Sequence, residues 1–441
     1  MKIAARGGDA VKNEFDRSKA LRWFAVIAIL MVVTWVIAAL FGPTPDYKLA
    51  YTPRAALNSP EYVRELESLT NSRVSVGNSV ESIPNGDNFY VAELQAIANA
   101  KSSINLEAYI VQRGEIAKKI IAALAERQKH GVQVRVVVDA MGSLTTPKRY
   151  FKDLREAGGK VEFYHPMRWN TWMRSNNRTH RELMVIDGDL GFIGGAGIAD
   201  QWWKDDPPKK PRWRDEVFRV RGDAVRAIQS TFVENWLEAS GELLAGEVFY
   251  PPLPEVGKAT SMVVTSTPSQ GGSTRARMLF QTLVASAHKS IQITTPYFLP
   301  DKSLRDELVK ARQRGVEVRI LLPGGKSDHL MTRASSRRVY GPLLLSGAEI
   351  YEYQPSMVHA KIMVVDGMWS VVGSTNFDNR SFGLNDEVNL VSLDNDLASQ
   401  LRSQFDGDIS KAQRVTYDKW KKRSLWERAI EMAGFVIERQ Q

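Results

Sequence analysis

The chain has 441 residues, 43% hydrophobic and 25% charged, enough for one large or two medium domains with real cores. Its net charge of +9 suits an anionic partner, such as a phospholipid headgroup, a nucleic-acid backbone or a small phosphate ester, without choosing among them. The absence of cysteine excludes disulfides, thiol catalysis and thiolate metal sites. Imidazole chemistry must come from six histidines: His130, His165, His180, His288, His329 and His359.

Residues 1 to 22 form a basic tail with Lys2, Arg6, Lys12, Arg17, Lys19 and Arg22. The next stretch, WFAVIAILMVVTWVIAALF (23 to 41), runs 19 residues without a charge, close to the roughly 20 needed to cross a bilayer core. Only Lys48 and Arg54 follow closely. The asymmetry predicts one span at 23 to 42, with the N-terminus cytoplasmic. In a Gram-negative cell this is an inner-membrane anchor with a periplasmic catalytic part. A cleaved signal peptide normally has an apolar core of about 7–15 residues, so an uncleaved anchor is the reading adopted.

Residues 43 to 87, rich in Pro, Ser, Asn and mixed charge, read as a linker with a short helix. From 88 onward helix-like and strand-like patterns alternate. A helix near 90 to 101 precedes an apolar run at 104 to 111. A helical period over 115 to 130 precedes the β-branched run 132 to 138. This alternation predicts an α/β fold with mixed sheets flanked by helices. The order then returns. AERQKHGVQVRVVV (125 to 138) is echoed by KARQRGVEVRILL (310 to 322), VEFYHP (161 to 166) by AEIYEYQP (348 to 355), and THRELMVIDGDLGFIGG (179 to 195) by VHAKIMVVDGMWSVVGS (358 to 374). Two fused repeats follow, 88 to 248 and 259 to 412, joined near Pro251, Pro252 and Pro254. The tail, 413 to 441, mixes aromatic and basic residues. It reads as an amphipathic helix, lying on a membrane surface or packed on the core.

The second repeat carries His359-Ala-Lys361 and Asp366, then Gly373-Ser374-Thr375-Asn376. His359 and Lys361, two apart in a strand, share a face. Histidine, lysine and asparagine together supply an acid or nucleophile, a cation for phosphoryl oxygens and a neutral donor. The first repeat aligns His180 with His359 and Asp187 with Asp366, but Glu182 stands in place of the lysine and Gly197 in place of the asparagine. Arg178 or Arg181 is a cation that would restore the lost charge, though Arg181 is expected to point to the opposite face from His180. Glu182 is read as a partner for a histidine or an acceptor hydroxyl. Asp366 either orients its own histidine or holds a turn.

These motifs resemble the HxKxxxxD and GSxN elements of the phospholipase D superfamily. Further stretches resemble its bacterial cardiolipin synthase branch: Trp213-Arg214-Asp215, Pro296-Tyr297-Phe298, and Asp378-Asn379-Arg380-Ser381 through Asp386-Glu387. The resemblance covers about residues 90 to 410. It implies two tandem phospholipase D-like domains related by a pseudo-twofold axis. Both histidines then meet in one pocket, and catalysis runs through a phosphohistidine without metal or cofactor. His180 is implied as nucleophile and His359 as acid and base, with Lys361, Asn376, Asp187 and Asp366 in catalytic roles. Glu182, Arg178, Ser374 and Glu387 are implied to contact substrate. The implied reaction is transfer of a phosphatidyl group from phosphatidylglycerol or phosphatidylethanolamine to an alcohol acceptor at a membrane. Phospholipase D hydrolysis and nuclease or other phosphodiesterase activity are the alternatives, and nucleic acid is not the expected partner. Gly324-Gly325-Lys326-Ser327 lacks the first glycine of a P-loop, so no nucleotide site is expected. His130, His165 and His288 read as ordinary surface or satisfied histidines. Trp202, Trp203 and Trp213 read as core or rim.

Overall fold

The computed structural model describes residues 17–41, 49–51, 53, 55–167, 176–205, 211–268, 274–428 and 431. The chain divides into two compact units, residues 1–45 and 46–441.

The first unit contains the helix Arg17–Phe41. Its described side chains are mostly exposed, among them Trp23, Phe24, Ile27, Leu30 and Met31. They are described only as far as Thr34, so the predicted span lies partly outside them. Among the described residues no helix is long and apolar enough to cross a membrane.

Among its described residues the second unit has seventeen strands: β1 (Val74–Pro84), β2 (Ser103–Ala108), β3 (Gln133–Asp139), β4 (Lys160–Tyr164), β5 (Leu183–Ile186), β6 (Leu190–Gly194), β7 (Glu216–Arg221), β8 (Ala259–Ser266), β9 (Ser290–Thr294), β10 (Phe298–Leu299), β11 (Glu317–Pro323), β12 (Glu349–Tyr353), β13 (Ile362–Val365), β14 (Trp369–Gly373), β15 (Phe377–Asp378), β16 (Glu387–Leu393) and β17 (Ala412–Val415). Fifteen of them form one mixed sheet. Its midline is the antiparallel pair β1 and β8, with Val74 opposite Met262. Outward from β1 the order is β7, β6, β5, β2, β3, β4, and outward from β8 it is β16, β14, β13, β9, β11, β12, with β17 added at the far edge. The pairing senses match step by step. Both wings are antiparallel as far as β2 or β9, then parallel through β3 and β4 or β11 and β12. The duplicated sequence blocks therefore occupy mirrored positions in the sheet.

β1 itself lies in the stretch read from sequence as linker. The short helix expected there is Pro60–Thr70, capped by the Ser59 side chain and seated by Tyr62 and Leu66. The apolar runs form buried strands, as sheets covered on both faces require. One face of the sheet centre is covered by the helices Ala224–Ser240 and Asn395–Ile409. Phe232, Trp236, Leu397 and Leu401 meet Val220, Val372 and Leu390 in one core there. That core draws on both repeats. The C-terminal stretch begins with β17, which pairs with β12. The helix Tyr417–Lys421 follows, with Trp420 packed against Gly341 and donating its indole N–H to the Arg337 carbonyl at 2.6 Å. Leu425 and Trp426 are exposed, and residues 429–430 and 432–441 of the expected amphipathic helix lie outside the described residues.

Candidate active site

The two histidines sit just before β5 and β13, where the chain crosses from one repeat to touch the other. The His180 N–H donates to the Asp386 carbonyl at 2.9 Å, and the Asp386 N–H donates to the Arg178 carbonyl at 2.9 Å. The mirrored bonds run from the His359 N–H to the Arg214 carbonyl (2.7 Å) and from the Arg214 N–H to the Met357 carbonyl (2.8 Å). Each histidine is thereby pinned to a strand of the opposite repeat, and one cavity of about 660 Å³ is lined by both.

The same crossing supplies their carboxylate partners. His180 Nδ1 lies 3.0 Å from both oxygens of Glu387, and His359 Nδ1 lies 2.8 Å from Asp215 Oδ2. Both carboxylates are fully buried. A carboxylate at Nδ1 fixes the ring so that Nε2 faces the cavity, and it stabilises the imidazolium. Sequence reading paired Glu387 with substrate and assigned Asp215 no role. The obstacle is register. Both repeats carry an Asp-Glu-Val run, yet the backbone bonds above match Arg214 to Asp386. Asp215 then coincides with Glu387, one residue off the apparent alignment. Ser374, also expected at substrate, donates its hydroxyl to Glu387 Oε2 at 2.5 Å and so acts through that carboxylate.

Lys361 shares the His359 face, as the strand period requires. Its Nζ is 2.8 Å from Nδ1 and 3.2 Å from Nε2 of His359, and it donates to the His359 carbonyl at 2.8 Å. Burial lowers the Lys361 pKa to about 8, against the opposing pull of Asp215, Glu387 and Glu182. Burial, then the Lys361 ammonium, also holds His359 below its ordinary value. Burial pushes Asp215 up, but its bond to His359 and the nearby cations bring it below the usual carboxylate range. Asn376 lines the cavity, and its buried Oδ1 has no hydrogen-bond partner among the described residues.

Asp187 and Asp366 are placed elsewhere. Both stand at the far ends of β5 and β13, with φ of 53° and 54°, each followed by a glycine at 68°. Two successive positive φ values define the tight turn that joins β5 to β6 and β13 to β14. Asp187 accepts from the N–H groups of Lys101, Ser102 and Ser103, and Asp366 from those of His288, Lys289 and Ser290. They tie the turn to the start of the neighbouring strand and contact neither histidine. Asp366→Ala is expected to cost about 1–3 kcal/mol of stability while leaving turnover per folded molecule within about two-fold. Thermal melts beside product assays check this, and lost turnover with unchanged melting would return Asp366 to the chemistry.

The departures in the first repeat are coupled. Glu182 turns away from the cavity, and its Oε1 accepts the N–H groups of Tyr109 (3.1 Å) and Ile110 (3.3 Å). Burial holds its carboxyl well above the usual carboxylate range, against the pull of the two N–H groups and of Lys361. A Cβ at Gly197 would lie 2.7 Å from the Ile110 carbonyl and 3.1 Å from Glu182, leaving no room for an asparagine. At Gly195 a Cβ would meet Lys361 at 2.7 Å, so the lysine of the second repeat fills space that a side chain would take in the first. Arg178 is buried, with Nε bonded to the Asn177 carbonyl, Nη2 bonded to the His165 carbonyl and Nη1 3.5 Å from Asp139. It braces the strand before His180 and does not line the cavity. Arg181 points the other way, as expected, to Thr231 and Glu234. Of the remaining histidines only His329 lines the cavity. Trp213 also lines it, and Trp202 and Trp213 flank the His359 ring with centroids 5.3 Å away. Among the described residues no group of three or more His, Asp or Glu side chains is placed to hold a metal ion.

Residues 94–206 and 280–409 match the family described as cardiolipin synthase, PLD-like domain. The chain is 36% identical over 457 residues to the major cardiolipin synthase ClsA of Bacillus subtilis (strain 168), covering 97% of this chain and 94% of that one. It is 32% identical over 455 residues to cardiolipin synthase 1 of Bacillus anthracis, covering 96% and 88%. The crystal structure of phosphatidylserine synthase from Haemophilus influenzae Rd KW20 superposes with a TM-score of 0.66 at 15% identity, over 86% of this chain and 99% of that one, a likeness of fold.

Proposed function

This chain belongs to the cardiolipin synthase branch of the phospholipase D superfamily, and from that premise we propose how its residues carry out phosphatidyl transfer. The chain is an enzyme, a phosphatidyltransferase of the cardiolipin synthase type. The observation that carries the mechanism is the crossed pair of histidines, each backed by the other repeat's carboxylate and both opening on one cavity.

His180 Nε2 attacks the phosphorus of a phosphatidylglycerol. The P–O bond to the headgroup breaks, His359 gives its proton to the departing glycerol oxygen, and a phosphatidyl group remains on His180. The hydroxyl of a second phosphatidylglycerol then attacks, its proton returning to His359 as the P–N bond breaks. Glu387 stabilises the charged His180 ring, and Asp215 does the same for His359. Lys361 and Asn376 hold the phosphoryl oxygens, where charge gathers in the transition state. Lys361 depresses His359 only while its own charge is uncompensated. A bound phosphodiester anion offsets that charge and so opposes the lysine's share of the lowering at His359. Leu330 (66% exposed) and Met331 (37%) border the same cavity, an apolar lip suited to acyl chains and ill suited to a polynucleotide.

The helix Arg17–Phe41 continues an uncharged sequence to residue 41 behind six basic residues. This supports a single-pass anchor with a cytoplasmic N-terminus and an extracytoplasmic catalytic unit. A C-terminal alkaline phosphatase fusion is expected to be active in intact cells, and an inactive fusion reverses the topology.

Because the Lys361 pKa is pushed down to about 8, its ammonium is present below that pH and lost above it. Affinity for a phosphonate analogue of the substrate is expected to weaken above pH 8, approaching about ten-fold per pH unit. Lys361→Arg binds more weakly but with no such dependence between pH 7 and 10, since guanidinium does not deprotonate there. Titration calorimetry across that range checks it, and a wild-type affinity that is flat to pH 10 contradicts the lysine's role.

The function is tested with purified protein in mixed micelles of phosphatidylglycerol and phosphatidylethanolamine, reading lipid products by mass spectrometry. Cardiolipin with released glycerol is the expected product. Phosphatidic acid alone would make water the acceptor, and no lipid turnover would overturn the lipid reading.

A further inference from the structure

We propose that Asp328 holds the hydroxyl next to the reacting one on the headgroup alcohol, so that the site selects a vicinal diol such as the glycerol of a lipid headgroup. This rests on the transferase reading above and adds the residue that chooses the alcohol.

Among the described residues lining the cavity, the carboxylates are Asp328 and Asp378. Asp378 caps the short helix Asn379–Gly383, accepting the Ser381 N–H at 2.7 Å, and its charge couples to His180. Asp328 belongs to the other histidine. The Tyr297 ring meets the His359 ring edge-on with centroids 6.5 Å apart, and the Tyr297 hydroxyl donates to Asp328 Oδ2 at 2.7 Å. His329 Nε2 stands 3.6 Å from the same oxygen. Both contacts fall on Oδ2, and among the described residues nothing bonds Oδ1. The side chain is 18% exposed. A carboxylate oxygen aimed by a phenol and largely sheltered from water is a strong acceptor for a hydroxyl.

The alcohol stands on this side of the site. In the first step His359 gives its proton to the departing glycerol oxygen. In the second the acceptor oxygen forms its bond to phosphorus as the His180 P–N bond breaks, and the hydroxyl proton passes to His359. The leaving and entering alcohols therefore take the same place beside His359, where Tyr297 and Asp328 line the cavity. In phosphatidylglycerol, as donor or as acceptor, the carbon next to the reacting C–O carries a hydroxyl, so one contact serves both steps. The first repeat has no counterpart. Six residues past the matched blocks that end at Val138 and Leu322, it has Leu144 where the second repeat has Asp328. The carboxylate thus stands on one side of a mirrored site, beside the acid and base. Asp328 also raises the pKa of His359 and of Lys361, against burial. That charge effect acts on the reaction of any alcohol, whereas the hydrogen bond favours only an alcohol with a second hydroxyl.

The test uses the phosphatidyl ester of 4-nitrophenol in detergent micelles as donor. 1,2-Propanediol and 1-propanol compete as acceptors at equal concentration, and mass spectrometry reads the two lipid products. The acceptors differ by one hydroxyl and draw on the same phosphatidylated enzyme, so the product ratio isolates acceptor choice from total rate. Wild type is expected to favour the diol about ten-fold or more, the scale of one hydrogen bond to a charged group. Asp328→Ala is expected to abolish the preference. Asp328→Asn, which keeps an acceptor oxygen without the charge, is expected to fall between. Equal amounts of the two products from wild type, or an unchanged ratio in Asp328→Ala, overturn the proposal. If neither Asp328 variant forms product, Tyr297→Phe decides, since it leaves the carboxylate but removes the donor that aims it. A ratio below wild type then supports the proposal, and a wild-type ratio overturns it. Ethanolamine in place of the diol tests for an ammonium ligand. A preference for ethanolamine greater than that for the diol, and lost in Asp328→Ala, overturns the choice of a hydroxyl. A wild-type enzyme that yields phosphatidic acid alone would instead sink the transferase reading beneath it.

Discussion

His180→Ala and His359→Ala are each expected to lower cardiolipin formation by about four orders of magnitude or more, the scale seen when a member of a covalent catalytic group is removed. The two losses differ in kind. Without His180 there is no atom to carry the phosphatidyl group, and no substrate change restores the rate. Without His359 the nucleophile remains, and what is missing is a proton for the departing oxygen. A phosphatidyl ester with a good leaving group, such as 4-nitrophenolate, needs little of that proton. His359→Ala should therefore recover two or more orders of magnitude in 4-nitrophenolate release, by this rough acid-catalysis scale, while His180→Ala stays near background. Stopped-flow absorbance reads the difference directly. Equal rescue of both variants would contradict the assignment, and rescue of His180→Ala alone would exchange the roles. Neither histidine carries the sheet's main cores, so melting temperatures near wild type are expected for both variants.

Asp215→Asn and Glu387→Gln carry the next largest effect, a loss of about 10²–10⁴ in kcat, by analogy with removing the carboxylate behind a catalytic histidine. The amides keep nearly the same shape in sites with no solvent access. What changes is charge and hydrogen-bond polarity. An amide presents an N–H to Nδ1 as readily as an oxygen, favouring the tautomer whose Nε2 carries the proton. Each carboxylate belongs to the opposite repeat's histidine, so the couplings are specific. Asp215→Asn combined with His359→Ala should be scarcely worse than His359→Ala alone, whereas combined with His180→Ala it falls on an independent group. Reversed couplings, with Asp215 tied to His180, would contradict the crossed arrangement.

The repeats, the alternation of helix and strand, and the two histidines were legible because they rest on local pattern: strand period, loop glycines and the echo of one block in another. Three features were not. β1 was hidden in a polar stretch, since Val74–Pro84 has the composition of a linker and becomes a strand only by pairing with β7 and β8. The pairing of Asp215 with His359 joins residues 144 apart in sequence, and the one-residue offset between the repeats disguised its match to Glu387. Asp366 and Asp187 carried the motif's spacing, but spacing alone does not separate an acid that orients a ring from one that holds a turn. Their positive φ values and backbone N–H donors do. The exchange of lysine for Glu182 was visible in sequence. That it travels with Gly197 and turns away from the cavity required the Tyr109 and Ile110 amides to be in view.

The central claim is that a phosphatidyl group rests on His180 between two lipids. Phosphatidylglycerol labelled at phosphorus, mixed with the His359→Ala enzyme and quenched in alkali, puts that to a direct trial by peptide mass spectrometry. The account predicts label on the peptide bearing His180, stable in alkali and lost in acid, with none in His180→Ala. Label on His359 in the converse variant, or turnover of wild type with no labelled histidine at any time, would contradict it.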